Sequence, residues 1–251
     1  MCSSGSLSDG RRYAGGRAST RCRLQEKVTG RPQSVQGYGL PVVLVWLMPT
    51  SQPKVVVSPL SVKVWLEDIP SVDRVRPAVC PRCEAPSRPP GRPLGLHGHG
   101  LRSRWCLGFV EWGEPPGEHV LEVRRFLCTG CEQTCTVVPR GICPGRLYLI
   151  GTIGAALALW ALSDPPVSAV DVRRKCSPFD RPSGRLLPRD WAALRRWAEA
   201  DELWGGASSD SDLGPKPRAE VLASICVGRG PPSTRGQPAA KRAFFGAVRT
   251  G

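Results

Sequence analysis

Hydrophobic and polar positions alternate through the middle of the chain in the manner of β-strands. Residues 55–69 are rich in β-branched side chains and alternate in part, which predicts a strand followed by a short helical turn. Residues 101–112 and 119–127 are two longer extended runs joined by the turn-rich segment GEPPG, and residues 134–138 are a shorter one. The pattern predicts a small sheet that contains a β-hairpin.

The pattern becomes helical after residue 146. Residues 147–162 are almost uncharged, and Asp164 with the two prolines after it ends the run. A membrane span needs about 20 apolar residues, so we expect instead a helix buried on most faces; the span remains an alternative. Residues 168–176 predict a second helix with Ser168 as its N-cap, and DWAALRRWAEADELW predicts a third with Asp190 as its cap. Three helices with short turns are typical of a helix-turn-helix module.

The two ends of the chain have a different composition. Residues 1–47 are rich in glycine, serine and arginine, and residues 207–251 are rich in serine, glycine, proline and arginine, which is typical of segments that do not form a packed core. We expect disorder over residues 1–47, which we interpret as an over-extended reading with Met48 as the natural start. We expect a mostly disordered tail over residues 207–251, with room for one short helix near residues 218–226.

Four of the eleven cysteines have the spacing of metal ligands. Cys80 and Cys83 lie in CPRC, and Cys128 and Cys131 lie in CTGC. Two thiolates from one tight turn reach the same ion, and two such knuckles complete a tetrahedron around zinc. Residues 1–20 contain no apolar run of signal-peptide length, so we expect a cytoplasmic chain with reduced thiols.

The spacing therefore predicts a structural Zn²⁺ in a ribbon whose strands fill the gap between the knuckles. The first alternative is that the two CxxC pairs are coincidental in a cysteine-rich chain, or that one of them is a redox pair. A mixed site is the second, since further potential ligands lie nearby: His97, His99, Cys106, Cys135 and Cys143. We interpret the HGHG segment at 97–100 as a turn before a strand.

The formal net charge of +14 favours a polyanionic partner, nucleic acid first and an anionic membrane second. Arginine-rich coding is the alternative cause. Arg195 and Arg196 lie largely off the apolar side of the third predicted helix. They can contact DNA there, or they can belong to the solvated face of a packing helix.

The order of these motifs is familiar. CPRC, LHGHGLRSRW, VRRFLCTGCEQTCTVVP and a proline-bounded apolar helix resemble the zinc-ribbon head of insertion-sequence transposases. More closely, they resemble short uncharacterised bacterial proteins with that head and a helix-turn-helix-like tail. The resemblance covers roughly residues 75–205. It implies that the four cysteines bind zinc and that basic arms contact DNA at Arg124, Arg125 and Arg140. Where the family has a glycine after each knuckle, this chain has Glu84 and Glu132.

The expected fold class is α+β, with a zinc-ribbon sheet followed by a helical bundle and disordered flanks. The expected boundaries are a lead-in segment at 48–79, the zinc ribbon at 80–145 and the helix-turn-helix-like region at 146–206. The expected function is non-catalytic DNA binding, without a small-molecule substrate or a membrane partner. The expected DNA contacts are Arg102, Arg104, Arg124, Arg125, Arg140, Arg195 and Arg196.

Two alternatives remain from the sequence. One is a zinc-stabilised adaptor that binds another protein through exposed aromatic residues such as Trp105, Phe109 and Trp112. The other is a DNA-cleaving or joining enzyme, which requires a cluster of three carboxylates in the fold.

Overall fold

The structure is a computed structural model that describes residues 54–179, 190–204 and 212–250. The predictions for residues 1–47 lie outside this part of the chain. Within it, a four-stranded sheet has the order β1-β4-β3-β2, with β1 parallel to β4 and the other pairs antiparallel. The strands are β1 (Lys54–Ser61), β2 (Leu96–Gly108), β3 (Gly117–Cys128) and β4 (Thr134–Arg140).

The predicted strands and hairpin are confirmed, but two boundaries change. The segment expected as a lead-in belongs to the sheet, because β1 pairs with β4 in register Val55↔Thr136. The HGHG segment, expected as a turn, lies inside β2. Gly100 there has a φ of 84°, and the register shifts between Gly98 and Leu101. A bulge at this glycine lets the strand continue where a turn was expected.

Two short helices pack on one side of the sheet. α1 (Val62–Glu67) begins where the Ser61 hydroxyl accepts a hydrogen bond from the Val64 amide, and α2 (Val72–Val75) begins in the same way at Ser71. Trp65 of α1 is 1% exposed, and its indole N–H donates to the main-chain oxygen of Glu122 at 2.8 Å. Burial of this side chain holds α1 against β3.

Five of the described helices form the second core. They are α3 (Ile150–Ala161), α4 (Ala169–Cys176), α5 (Ala192–Ala198), α6 (Pro215–Arg229) and α7 (Ala239–Thr250). α3 is buried without a break from Ile150 to Ala158, which confirms the expected core helix. Among the described residues, no helix has both the length and the apolar character needed to cross a membrane.

Of the two predicted N-caps, one is confirmed and one is wrong. Ser168 caps α4 by accepting from the Asp171 amide at 3.1 Å, as expected. The prediction for Asp190 is wrong, because Trp191 occupies the N-cap position of α5 without a side-chain hydrogen bond. The Asp190 carboxylate instead accepts from Arg195 at 3.0 Å.

The prediction of a mostly disordered tail is also wrong. Its residues form α6 and α7, which pack against α3 through buried side chains such as Leu222 and Phe244. Prolines open α6, in the first turn where a missing N–H is harmless. The remaining glycines and prolines lie mainly in the connection around residues 230–238. The prediction from composition was wrong because composition does not show at which position of a helix each proline lies. In addition, α3 is apolar on nearly all sides, so it must be covered by other helices, and the tail provides them.

Glycines allow α3 and α7 to approach closely. A Cβ at Gly154 would lie 2.6 Å from the Cβ of Ala247 and 2.8 Å from the main-chain oxygen of Ala243. A Cβ at Gly151 would lie 2.6 Å from the Phe244 ring. The two helices can therefore lie this close only where side chains are absent.

The sheet and the helical core join at the end of β2. The Phe109 amide donates to the Thr152 hydroxyl at 2.8 Å, and Thr152 is fully buried. Gly108 has a φ of 113°, and a Cβ at this position would lie 2.1 Å from the Thr152 hydroxyl oxygen. The first turn of α3 is thus fixed against the sheet.

We expect Gly154→Ala to lower the free energy of unfolding by about 1–3 kcal/mol, because the added methyl overlaps α7. Gly228→Ala is the matched control. Gly228 is also helical and has open space around its Cβ position, so alanine there should raise stability by about 0.5–1 kcal/mol. Urea unfolding of both variants checks this; equal effects at the two positions would contradict the close packing of α3 on α7.

Candidate metal centre and arginine surfaces

The two cysteine knuckles meet in space. Cys80 and Cys83 follow α2, Cys128 ends β3, and Cys131 lies in the turn before β4. All four sulfur atoms lie within 4.8 Å of one another. Sγ of Cys80 is 3.8 Å from that of Cys131, and Sγ of Cys83 is 3.6 Å from that of Cys128. Bonds of about 2.3 Å to a tetrahedral ion give edges of roughly 3.8 Å, so the cluster fits a metal ion.

The alternative ligands are not part of this group. Among the described residues, the cluster contains only the four predicted cysteines. Cys106 is 1% exposed in the sheet core, and Cys143 is 7% exposed in the helical core. Cys135 is also buried, at 3% exposure. These thiols pack as small apolar side chains.

Both knuckles have the same backbone geometry. The Glu84 amide donates to the Cys80 carbonyl at 2.9 Å, and the Glu132 amide donates to the Cys128 carbonyl at 2.9 Å. Their φ angles are 59° and 56°. The left-handed turn that glycine usually provides is therefore kept, with glutamate holding a conformation that is unfavourable for a residue with a Cβ.

Main-chain hydrogen bonds hold the knuckles in place. The Cys80 amide donates to the Ala85 carbonyl at 2.8 Å, and the Cys128 amide donates to the Gln133 carbonyl at 3.0 Å. The Thr129 amide donates to the Gly95 carbonyl at 2.9 Å, which ties the second knuckle to the segment just before β2. The ligands are thus positioned by the backbone around them.

The thiols of the cluster differ in acidity. Burial raises the pKa of Cys80, but hydrogen bonds from the main-chain amides of Cys83 and Arg82 outweigh it and lower the pKa to about 7. Burial, together with hydrogen bonds to the neighbouring thiols, raises the pKa of Cys131 to about 12. One thiolate forms readily, and full ionisation of the cluster requires the positive charge of an ion.

The structure places three of the seven predicted arginines on one face of the sheet. Directly opposite residues of neighbouring strands share a face. Arg102 is opposite Val123, and Arg104 is opposite Leu121. Arg125, two residues beyond Val123 on β3, shares their face by alternation. We name Arg102, Arg104 and Arg125 the basic face.

The acidic residues of the sheet lie on the other face. Glu118 and Glu122 are the only acidic residues in the four described strands, and they alternate with Leu121 and Val123. Arg124 shares their face, and its Nε donates to the Pro70 carbonyl at 2.8 Å. The sheet thus separates its charges by face, and Arg124 is bonded within the fold.

The remaining predicted arginines are exposed at separate places. Arg140 ends β4, and Arg195 and Arg196 lie on α5. Arg195 forms an ion pair with Asp190. Arg196 forms no ion pair with any of the described residues. A basic run at the end of α4 escaped the sequence analysis: Arg173, Arg174 and Lys175. The sequence signal that could have identified this basic surface is the run of three consecutive cationic residues.

One aromatic cluster positions α4 relative to α5. The Tyr148 hydroxyl lies 2.8 Å from the hydroxyl of Ser177, at the end of α4. The Tyr148 ring meets those of Trp191 and Trp197 edge-on, with centroids 5.6 and 5.1 Å away. The basic end of α4 and the arginines of α5 are therefore held by the same tyrosine.

The expected group of exposed aromatic residues is reduced to one. Trp105 is 55% exposed, but Phe109 is 9% exposed. Trp112 packs against the helical core, with its ring centroid 5.9 Å from that of Phe244. Phe109 and Trp112 serve the junction between the sheet and the helices, a role that strand alternation does not reveal.

Comparison with protein-family models, with curated proteins and with solved structures finds no significant match to this chain. The transposase-type resemblance stays a prediction.

We expect Cys128→Ser to abolish stoichiometric metal binding, because it removes one of four ligands. Cys143→Ser is the matched control, a buried cysteine outside the cluster, and it should keep one ion per chain. Elemental analysis of the two purified variants and of the unaltered protein measures this. Loss of metal from both variants, or from neither, would contradict the assignment.

We expect Glu132→Gly to raise the free energy of unfolding by about 1 kcal/mol, because glycine adopts the left-handed turn without the Cβ penalty. Glu132→Ala keeps the Cβ and should show no such gain. Urea unfolding of the metal-loaded variants compares them, and an equal gain from alanine would assign the effect to the lost charge.

Proposed function

We propose that this chain is a cytoplasmic, non-catalytic DNA-binding protein whose four cysteines hold a structural zinc ion. Four thiolates at tetrahedral spacing suit zinc, and they fill its coordination shell. The ion would then have no open position for a substrate. Its role would be to join the two knuckles and so to stiffen the sheet that carries the basic face.

The separation of charge across the sheet is the observation that carries this proposal. Arg102 and Arg125 lie on a face to which the described strands contribute no acidic residue, since Glu118 and Glu122 lie on the other. A polyanion such as the phosphate backbone of DNA is attracted to such a surface. The formal net charge of +14 extends the attraction beyond the sheet.

The helices supply the second part of the proposed DNA surface. Arg196 is exposed on α5, and Arg173 and Lys175 lie in the last turn of α4. In the helix-turn-helix-like interpretation these side chains would contact the DNA backbone or the bases. The contacts of Tyr148 support this interpretation, because they hold α4 and α5 next to the same aromatic cluster.

A protein-binding adaptor is the second candidate, and one observation favours it. Trp105 and Val120 are directly opposite each other on β2 and β3, and they are 55% and 49% exposed. Leu101, at 43% exposure, lies on the same face. A small exposed apolar patch of this kind is a common feature of protein-binding surfaces.

A mobility-shift titration of the metal-loaded full chain with duplex DNA tests the leading proposal. Affinity should fall steeply between 50 and 200 mM salt, in the manner of phosphate-dominated binding. We expect Arg125→Gln and Arg196→Gln each to reduce the slope of log affinity against log salt by about 0.9, the effect of one lost phosphate contact. Arg74→Gln changes an exposed arginine of α2, away from the basic face, and is the control.

Two results would overturn the proposal. The first is negligible binding at both salt concentrations. The second is an equal loss of slope in Arg74→Gln and Arg125→Gln, because binding would then depend on total charge alone.

A further inference from the structure

An open cavity of about 340 Å³ lies on the basic face. Val123 and Thr136 of the two central strands line it, as do Val55 of β1, and Arg102 and Arg104 of β2. None of the described residues that line it is acidic. The cavity therefore combines an apolar floor with two guanidinium groups.

Arg104 is held rigidly at this cavity. Its Nη2 donates to the carbonyls of Cys143 at 2.8 Å and Arg146 at 3.3 Å. These bonds anchor the guanidinium to the loop before α3, although a carbonyl carries no full negative charge. The side chain is thus oriented without being neutralised.

Two features show that the charge of Arg104 is poorly compensated. Its Nε is buried, yet it has no hydrogen-bond partner among the described residues. Burial lowers the pKa of Arg104; the neighbouring Cys106 and Cys143 act in the opposite direction, and the positive charge of Arg102 adds a smaller lowering. Two adjacent like charges are unfavourable, and an anion in the cavity would offset them.

We propose that this cavity binds a phosphate group, with Arg104 as its fixed anchor and Arg102 as a second, more mobile contact. Guanidinium groups bind phosphate oxygens through charge-assisted hydrogen bonds. The volume exceeds what one inorganic phosphate needs, so it leaves room for the organic part of a phosphomonoester. The phosphate can come from a free phosphomonoester or from nucleic acid. The inference goes beyond the proposed function, because such a site exists whether or not the chain binds duplex DNA.

Isothermal titration of the metal-loaded full chain with inorganic phosphate, adenosine monophosphate and uncharged adenosine tests the site. We expect saturable binding of the first two and none of adenosine. Arg104→Gln should weaken binding by about tenfold or more, the usual effect of losing a hydrogen-bonded charge. Arg102→Gln should weaken it less. Arg74→Gln, remote from the cavity, should leave it unchanged.

Folding is controlled separately. Metal content and far-ultraviolet circular dichroism identify a variant that fails to fold, and Arg102→Gln changes an exposed side chain that the fold does not use. It therefore tests the site even if Arg104→Gln unfolds. Unchanged phosphate affinity in folded Arg102→Gln and Arg104→Gln would overturn the proposal.

The source of the phosphate is separated by a last comparison, between oligonucleotides with and without a 5′-phosphate. Tighter binding of the phosphorylated form that requires Arg104 supports a nucleic-acid source. Binding of adenosine monophosphate without a difference between the oligonucleotides supports a free phosphomonoester. Absence of binding by every phosphate probe rejects the site. The duplex-DNA titration of Arg125→Gln and Arg196→Gln fails or succeeds independently, so the two proposals can be told apart.

Discussion

The register of β3 is the constraint on which the rest of the structure depends. This strand pairs with β2 on one side and β4 on the other, so its alternation decides which side chains face each side of the sheet. It sends Glu122 to one face and Arg125 to the other, and it ends at Cys128. A slip by one residue would exchange the two faces and would move Cys128 away from the first knuckle. Charge separation and ligand geometry are therefore consequences of one pairing pattern.

The sheet and the helical core depend on each other through a narrow junction. Thr152 is a polar residue, yet it is fully buried. Its hydroxyl accepts a hydrogen bond from the Phe109 amide. Only glycine fits at the neighbouring position 108, because a Cβ there would overlap the Thr152 side chain. α3 then extends the junction into the helical core, where α7 lies close against its glycines. The loop before α3 also holds Arg104 by its carbonyls. The packing of the helices thus helps to shape the cavity on the sheet.

Much of the architecture was predictable because its signals are local. The spacing within CPRC and CTGC predicts metal ligands because one tight turn places both of its cysteines around the same ion. Ser168 caps α4 by a hydrogen bond from the amide only three residues further along the chain. The apolar run at 147–162 predicted a buried helix on length and charge alone. Asp190 shows where the local argument fails: a capping residue was present, but its carboxylate is paired with Arg195.

The sequence by itself determined the strands, the four clustered cysteines and the buried helix, since each follows from periodicity or from spacing within one short segment. Only the tertiary structure decided which arginines are free to contact a ligand and which are bonded within the fold. Arg102, Arg104 and Arg124 lie within 23 positions of one another in the sequence, yet one is exposed, one is anchored beside a cavity and one is bonded to Pro70. Tertiary structure likewise brought the tail onto α3 and β1 beside β4. These outcomes depend on contacts between distant segments, and a pattern within one segment carries no information about the surface that will cover it.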